Sequence, residues 1–244
     1  MNMSQSSDNI YSQPLEAITG FVFDQSVARV FRDMISRSVP GYATLVSMLP
    51  VLAQEYIHDN SRCYDLGCSL GAATLALHHS ITRNNVTIIA VDNSDAMIAQ
   101  CKSNIQQETG ATTLEFHCAD ICNIDITNAS MAVMNFTLQF IPPDNRLPLL
   151  SKIYQGLNPG GALVLSEKIR FEEPQQAWMT QLHHTFKKLN GYSDLEISQK
   201  RSALENVLVA DTIEQHRHRL EQAGFTKILI WYQCFNFVSL LAVK

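Results

Sequence analysis

Hydrophobic positions change their period several times along the chain, and each change marks an element. Val27, Val30, Phe31, Met34 and Ile35 recur at helical spacing and predict a short amphipathic helix. Ser38-Val39-Pro40-Gly41-Tyr42 breaks it, and a second helix, from about Ala43 to Tyr56, carries Leu45, Val46, Met48 and Leu49 towards a core. Strands are predicted at Cys63 to Leu66, Thr87 to Val91, Thr113 to His117, Met131 to Asn135 and Ala162 to Glu167. Helices Ala72 to His79, Asp95 to Gln107 and Arg146 to Leu157 lie between them, and Asn158-Pro159-Gly160-Gly161 makes a turn before the fifth strand. Such alternation of strand and helix requires a parallel sheet with right-handed crossovers.

About sixty residues separate Glu167 from Lys227, far more than a crossover needs, so part of this span is an insertion. Gln175 to Leu189 reads as one helix, Asn190-Gly191-Tyr192-Ser193 as its stop, and Asp194 to Gln199 as the start of another. Thr212 to Ala223, closed by Gly224, is the crossover helix proper. The tail, Ile228 to Gln233 and Phe235 to Val243 with only Cys234 between them, implies an antiparallel hairpin. The expected fold is therefore α/β: Rossmann-like, doubly wound, with a mostly parallel seven-stranded sheet, an antiparallel C-terminal hairpin strand and a helical insertion. A single domain over residues 1–244 is expected, with cover helices at 24–57 and the insertion at about 171–210.

Charge and composition narrow the function. A net charge of −5 argues against extended contact with nucleic acid, which needs a basic face. Lys187-Lys188, Lys200, Arg217 and Arg219 read as solvated helix faces; Arg201 stays open between a surface cation and an anion ligand. The six dispersed cysteines form no C-x-x-C pair and suit a reduced, cytoplasmic protein. His117, Cys118 and Cys122 match zinc spacing poorly, so no metal is expected. Met1 to Gln13 lacks the apolar core of a signal peptide, residues 1 to about 20 look like a loose arm, and no apolar run is long enough for a membrane.

The candidate chemistry lies where strands end. In an open α/β sheet, ligands bind beyond the carboxyl ends of the strands. Gly67, Cys68 and Ser69 follow the first strand, Asp92 and Asn93 the second, Asp120 and Ile121 the third, and Asn135 ends the fourth. Glycines allow a tight turn that brings amides to a ligand, while Asp92 can accept from both hydroxyls of a ribose. Ser69 stands where G-x-G-x-x-G has its second glycine, which narrows the room for a pyrophosphate and favours S-adenosylmethionine over NAD. Asp120 or its neighbouring amides would meet the adenine amino group, Ile121 the ring, and Asn135 the sulfonium. Taken singly, Asp92 could cap a helix, Asp120 shape a turn and Asn135 hold a strand end.

The order of motifs resembles the class I S-adenosylmethionine-dependent methyltransferases across nearly the whole chain. Four strings are closer still: Ser38-Val39-Pro40-Gly41-Tyr42, Tyr64-Asp65-Leu66-Gly67-Cys68-Ser69-Leu70-Gly71-Ala72-Ala73-Thr74, Asn135-Phe136-Thr137-Leu138-Gln139-Phe140 and Glu196-Ile197-Ser198-Gln199-Lys200-Arg201-Ser202. These resemble the carboxy-S-adenosyl-L-methionine synthase family from about Phe23 to the C-terminus, and the last string lies in the insertion. The resemblance implies conversion of S-adenosylmethionine and prephenate into carboxy-S-adenosylmethionine and phenylpyruvate, in the service of tRNA wobble-uridine modification. It assigns cofactor contacts to Tyr42, Gly67, Cys68, Ser69, Asp92, Asn93, Asp120, Ile121, Asn135 and Arg201. It also implies a homodimer in which Arg201 reaches the neighbouring subunit's site.

That chemistry gives Arg201 and Tyr42 a purpose, since an added carboxylate needs a bidentate guanidinium and a hydroxyl when it is removed from water. Otherwise Tyr42 is a packing aromatic after a Pro-Gly turn. On this reading prephenate loses carbon dioxide and hydroxide, the hydroxide deprotonates the methyl beside sulfur, and the ylide captures the carbon dioxide. His183 and His184 are then not needed as bases and are expected to pack or face solvent. The competing readings are an ordinary small-molecule methyltransferase, an NAD oxidoreductase and a non-catalytic nucleoside-binding protein.

Overall fold

The computed structural model describes residues 7–244. Two helices, α1 (Gln25–Ser38) and α2 (Tyr42–Tyr56), precede the sheet. Strands β1 (Arg62–Leu66), β2 (Thr87–Asp92), β3 (Thr113–Cys118), β4 (Ala129–Asn135) and β5 (Leu157–Lys168) then alternate with helices α3 (Ala72–Ser80), α4 (Asp95–Ile105) and α5 (Pro143–Gly156). No helix intervenes between β3 and β4. After β5 come α6 (Gln175–Leu189), α7 (Asp194–Leu204), α8 (Ile213–Ala223), β6 (Lys227–Cys234) and β7 (Phe237–Val243). The sheet runs β3-β2-β1-β4-β5-β7-β6, with β7 antiparallel to both its neighbours. Strand order reverses direction between β1 and β4, the point at which such sheets bind ligands.

Side-chain alternation along the strands produces two apolar faces. Cys63, Ile88, Met131 and Val133 pack with Leu49 and Ala53 of α2 and Leu77 of α3. Tyr64, Leu66, Ile89, Val91 and Met134 take the opposite face, against Leu150 and Ile153 of α5, Leu220 of α8 and Phe225. Fully burying such a side chain contributes about 1.5–3 kcal/mol, so the three layers are held chiefly by these two seams. In α2 the buried row is Leu45, Leu49 and Ala53; Met48, expected inside, is 41% exposed because it lies off that stripe.

Three features differ from expectation. The Asn158-Pro159-Gly160-Gly161 turn is an excursion within β5 and not a link before it, because Ala129 pairs with Leu157 while Met131 pairs with Ala162. Cys234 belongs to β6, and the hairpin turns at Phe235-Asn236, with Phe235 at φ +52°. The supposedly loose arm is docked from Asp8 onward. Asp8 is 3% exposed, its carboxylate accepts from the Tyr192 hydroxyl, and its own N–H donates to Asp33 at 2.7 Å. Further along, Gln199 of α7 accepts from Leu15 N at 2.8 Å and donates to the Tyr11 and Gln13 carbonyls. The first six residues of the arm lie outside the described residues. No helix among the described residues is long and apolar enough to cross a membrane.

Candidate active site

β1 ends at Leu66 and α3 begins at Ala72, so the chain must reverse in five residues. Gly67 has φ +86°, and a Cβ built on it would lie 2.2 Å from Thr137 Oγ1. Gly67 and Cys68 both donate backbone N–H to the Val91 carbonyl, at 2.8 and 2.9 Å. Ser69 adopts φ +49°, a conformation that costs a residue with a side chain about 1–2 kcal/mol. Its N–H is aimed at Asp92 Oδ2, 2.9 Å away. Asp92 Oδ1 accepts from Ser94 N at 3.0 Å, so each carboxylate oxygen is fixed by one amide and keeps capacity for another donor. Burial raises the pKa of Asp92 against the pull of these amides.

Beneath the loop sits Asp65, 1% exposed, accepting from Thr74 N at 2.9 Å and Thr74 Oγ1 at 2.5 Å. Burial pushes its pKa up to about 6. This residue stiffens the β1–α3 turn from below and was not singled out from sequence, although a carboxylate two residues before the first glycine is a readable signal.

The carboxyl ends of the parallel strands open onto one cavity of about 400 Å³, roofed by α1, the start of α2, and α6 and α7 of the insertion. Tyr42, Gly67, Cys68, Ser69, Asp92, Asn93, Asp120, Ile121 and Asn135 all line it. Asn135 Oδ1 accepts from Ser166 Oγ at 2.8 Å, while its Nδ2 is buried without a partner. Buried amides are rarely left unpaired, so this one asks for an acceptor in the cavity. Asp120 also shapes its own turn, accepting from Cys122 N at 2.8 Å. Tyr42 packs against Phe136 at a centroid distance of 6.2 Å, and burial raises its hydroxyl pKa. Phe136 continues to Phe237 at 5.8 Å, and Phe237 to His183 at 5.1 Å.

Arg201 is the predicted site residue that the cavity of its own chain leaves out. It is exposed on α7, outside the lining, and makes no ion pair or side-chain hydrogen bond among the described residues. Its neighbour Lys200 takes the inward position. Lys200 is 6% exposed, 3.6 Å from Asp8 Oδ2 and 3.1 Å from Ser38 Oγ. Lys187, read from sequence as solvated, is also buried and lines the cavity together with Lys168. Of that basic set Lys188 does face solvent, while Arg219 is bound to Asp211 at 2.8 Å. Sequence periodicity misplaced Lys187 and Lys200 because it assumed helix surfaces that the insertion instead turns inward. His183 packs as expected but also lines the cavity, and its Nε2 lies 2.8 Å from the Ser38 carbonyl. Burial lowers its pKa to about 3, so it is neutral and Nε2–H donates.

Lys187 gives a pH test of this arrangement. Burial first, then the charges of Lys200 on α7 and Lys168 on β5, push its pKa down to about 7. Neutral His183 adds no charge beside it. An unfolded lysine keeps its ordinary value of about 10.5, so between the two values the unfolded chain binds more protons and stability rises with pH. Lys187→Met should therefore melt above wild type at pH 7, by roughly 5 °C, with the gap closing towards pH 10.5. Paired thermal melts across that range check it, and a gap independent of pH would show that Lys187 is not held as a buried cation.

A profile described as a methyltransferase domain matches residues 64–161, which span the β1–α3 turn to the glycine excursion of β5. In the solved structure of human N-acetylserotonin methyltransferase with S-adenosylmethionine, the same fold recurs with a TM-score of 0.58 at 18% identity, over 90% of this chain and 55% of that one. Much closer in sequence are carboxy-S-adenosyl-L-methionine synthases. That of Shewanella putrefaciens is 54% identical over 243 residues, covering 99% of this chain and all of the relative. That of Marinobacter nauticus is 55% identical over 225 residues, covering 92% and 90%. Identity at this level reaches through the insertion and the cover helices that the methyltransferase profile does not include, and the chain therefore belongs to the carboxy-S-adenosyl-L-methionine synthase family of transferases.

Proposed function

We propose that the protein converts S-adenosylmethionine and prephenate into carboxy-S-adenosylmethionine and phenylpyruvate, within a single domain roofed by its cover helices and insertion. The carrying observation is the polarity of the cavity: carboxylates stand at the ends of β1 to β3, an unpaired amide at the end of β4, and cations beyond. S-adenosylmethionine supplies the electrophilic methyl beside a positive sulfur, and these residues fit it. Asp92 would hold the ribose hydroxyls, Asn93, Asp120 and Ile121 the adenine end, and the Gly67–Ser69 backbone the methionine end. Asn135 Nδ2 and the Tyr42 hydroxyl would face the reacting carbon.

Atoms balance without an added oxidant. Prephenate becomes phenylpyruvate by losing carbon dioxide and hydroxide, the hydroxide takes one methyl proton and leaves as water, and the carbon bonds the carbon dioxide. The protein's contribution is positioning, exclusion of water and stabilisation of the anion. Arg201, exposed on its own subunit, would serve the partner's cavity in a homodimer, clamping the new carboxylate. The product would pass in the cytoplasm to a separate enzyme that modifies the tRNA wobble uridine, in keeping with the net charge of −5.

Weighing the small molecule released on denaturation tests the reading: a mass of S-adenosylmethionine plus one carboxyl group is expected after incubation with prephenate. Plain S-adenosylmethionine with no prephenate-dependent conversion would leave an ordinary methyltransferase. Arg201→Ala should weaken binding of the carboxylated product by tenfold or more and leave S-adenosylmethionine binding within about twofold, because only the former carries the extra anion. Titration calorimetry with both ligands reads this directly, and equal losses for the two would remove Arg201 from the clamp.

A further inference from the structure

The proposed roles leave the cationic end of the cavity unexplained. Lys168 ends β5, Lys187 lies in the last turn of α6 and Lys200 in α7, and all three line the one cavity. Lys200 already has Asp8 and Ser38. Lys168 and Lys187 have neither an ion pair nor a side-chain hydrogen bond among the described residues, although Lys187 is only 9% exposed. The last turn of α6 places carbonyls near Lys187 that favour a cation, but Lys168 stands at a strand end and has no such help. No acid on the cavity wall is placed to neutralise them: Asp65, on β1, is two strand spacings from β5, about 9–10 Å, and its carboxylate is taken up by Thr74. In the order β3-β2-β1-β4-β5, Asp92 is three strand spacings from Lys168, or about 14 Å. Neutral His183 contributes no negative charge, and the exposed Arg201 adds positive charge near Lys168. A buried ammonium on Lys187 and a half-buried one on Lys168, repelling each other without a counter-ion, are costly unless a ligand provides one.

We propose that Lys168 and Lys187 form the subsite for the carboxylates of the second substrate, and that the pair selects a small dianion over a monoanion. The identity of the reaction rests on the function proposed above; the anion selectivity does not. A dianion gains a charge-assisted bond from each lysine, whereas a monoanion leaves one lysine unmet.

Glutarate and butyrate, which are of similar length and carry two charges and one, separate these cases when titrated calorimetrically into the S-adenosylmethionine-loaded protein. Glutarate should bind at least ten times more tightly than butyrate. Lys187→Met and Lys168→Met should each weaken glutarate tenfold or more, keep S-adenosylmethionine affinity within twofold, and raise the KM for prephenate more than they lower kcat. Lys187→Arg should retain most of the glutarate affinity. If either methionine variant fails to fold, Lys187→Gln and Lys168→Gln replace them in the same titration. Equal binding of the two acids by wild type, or glutarate binding untouched in the folded variants, overturns the proposal. Selective glutarate binding in a protein that does not convert prephenate would keep the subsite and reject the reaction.

Discussion

Arg146→Met is expected to lower the melting temperature by 10 °C or more. Arg146 is fully buried, and its guanidinium ties three separate segments together. Nη1 meets Asp211 Oδ2 at 2.5 Å, Nε donates to the Ile141 carbonyl at 2.9 Å, and Nη2 donates to the carbonyls of Val209 at 2.9 Å and Gln139 at 3.2 Å. Methionine fills part of the space but donates to none of them. Arg219 would remain on Asp211 and Val209 N on the Gln139 carbonyl, yet the Ile141 and Val209 carbonyls lose the guanidinium donor and the buried carboxylate loses half its neutralisation. Removing one partner from a buried ion pair typically costs about 3–5 kcal/mol, and each kcal/mol lowers Tm by about 2–4 °C in a domain of this size. Differential scanning calorimetry decides the matter; a drop under 2 °C would mean that the segments around Gln139 and Val209 are held by other contacts.

The second large effect belongs to the β1–α3 loop, proposed above to hold the methionine end of S-adenosylmethionine. Gly67→Ala places a methyl group 2.2 Å from Thr137 Oγ1 and 2.5 Å from its Cγ2, at a φ of +86° that L side chains rarely adopt. The loop must shift, and with it the Ser69 N–H that holds Asp92. S-adenosylmethionine affinity should fall about 100-fold, equivalent to about 2.7 kcal/mol, while the circular dichroism spectrum stays native. Thr137→Ala combined with Gly67→Ala removes the nearest contacts but not the backbone strain, so it should recover only part of the loss. Full affinity in Gly67→Ala would show that this turn does not set the shape of the site.

The parts of this architecture that were legible in the sequence are those written in local pattern. α6 has the predicted bounds, Gln175–Leu189, because its stop at Asn190-Gly191 is local chemistry. Gly224 caps α8 at φ +115° for the same reason. The strand-end residues could be named because a parallel sheet puts all its carboxyl ends on one edge, whatever the details of its loops. Non-local contacts were hidden. Nothing in the polar string Asp8 to Gln13 predicts that Gln199 will bind its carbonyls, and nothing in Lys187-Lys188 distinguishes the buried lysine from the exposed one. The lean α7 pattern likewise gave no means of choosing between Lys200 and Arg201 for the inward position.

Asp8 is the residue by which the N-terminal arm enters the electrostatics of the cavity, since it is the acid beside Lys200. Trimming the chain past that aspartate would strip one lysine of its neutralising neighbour and leave three uncompensated ammonium groups where there are now two. Changes made at the very beginning of the protein, such as a protease nick or a bulky purification tag that lifts the arm away, therefore bear on which anions the interior attracts.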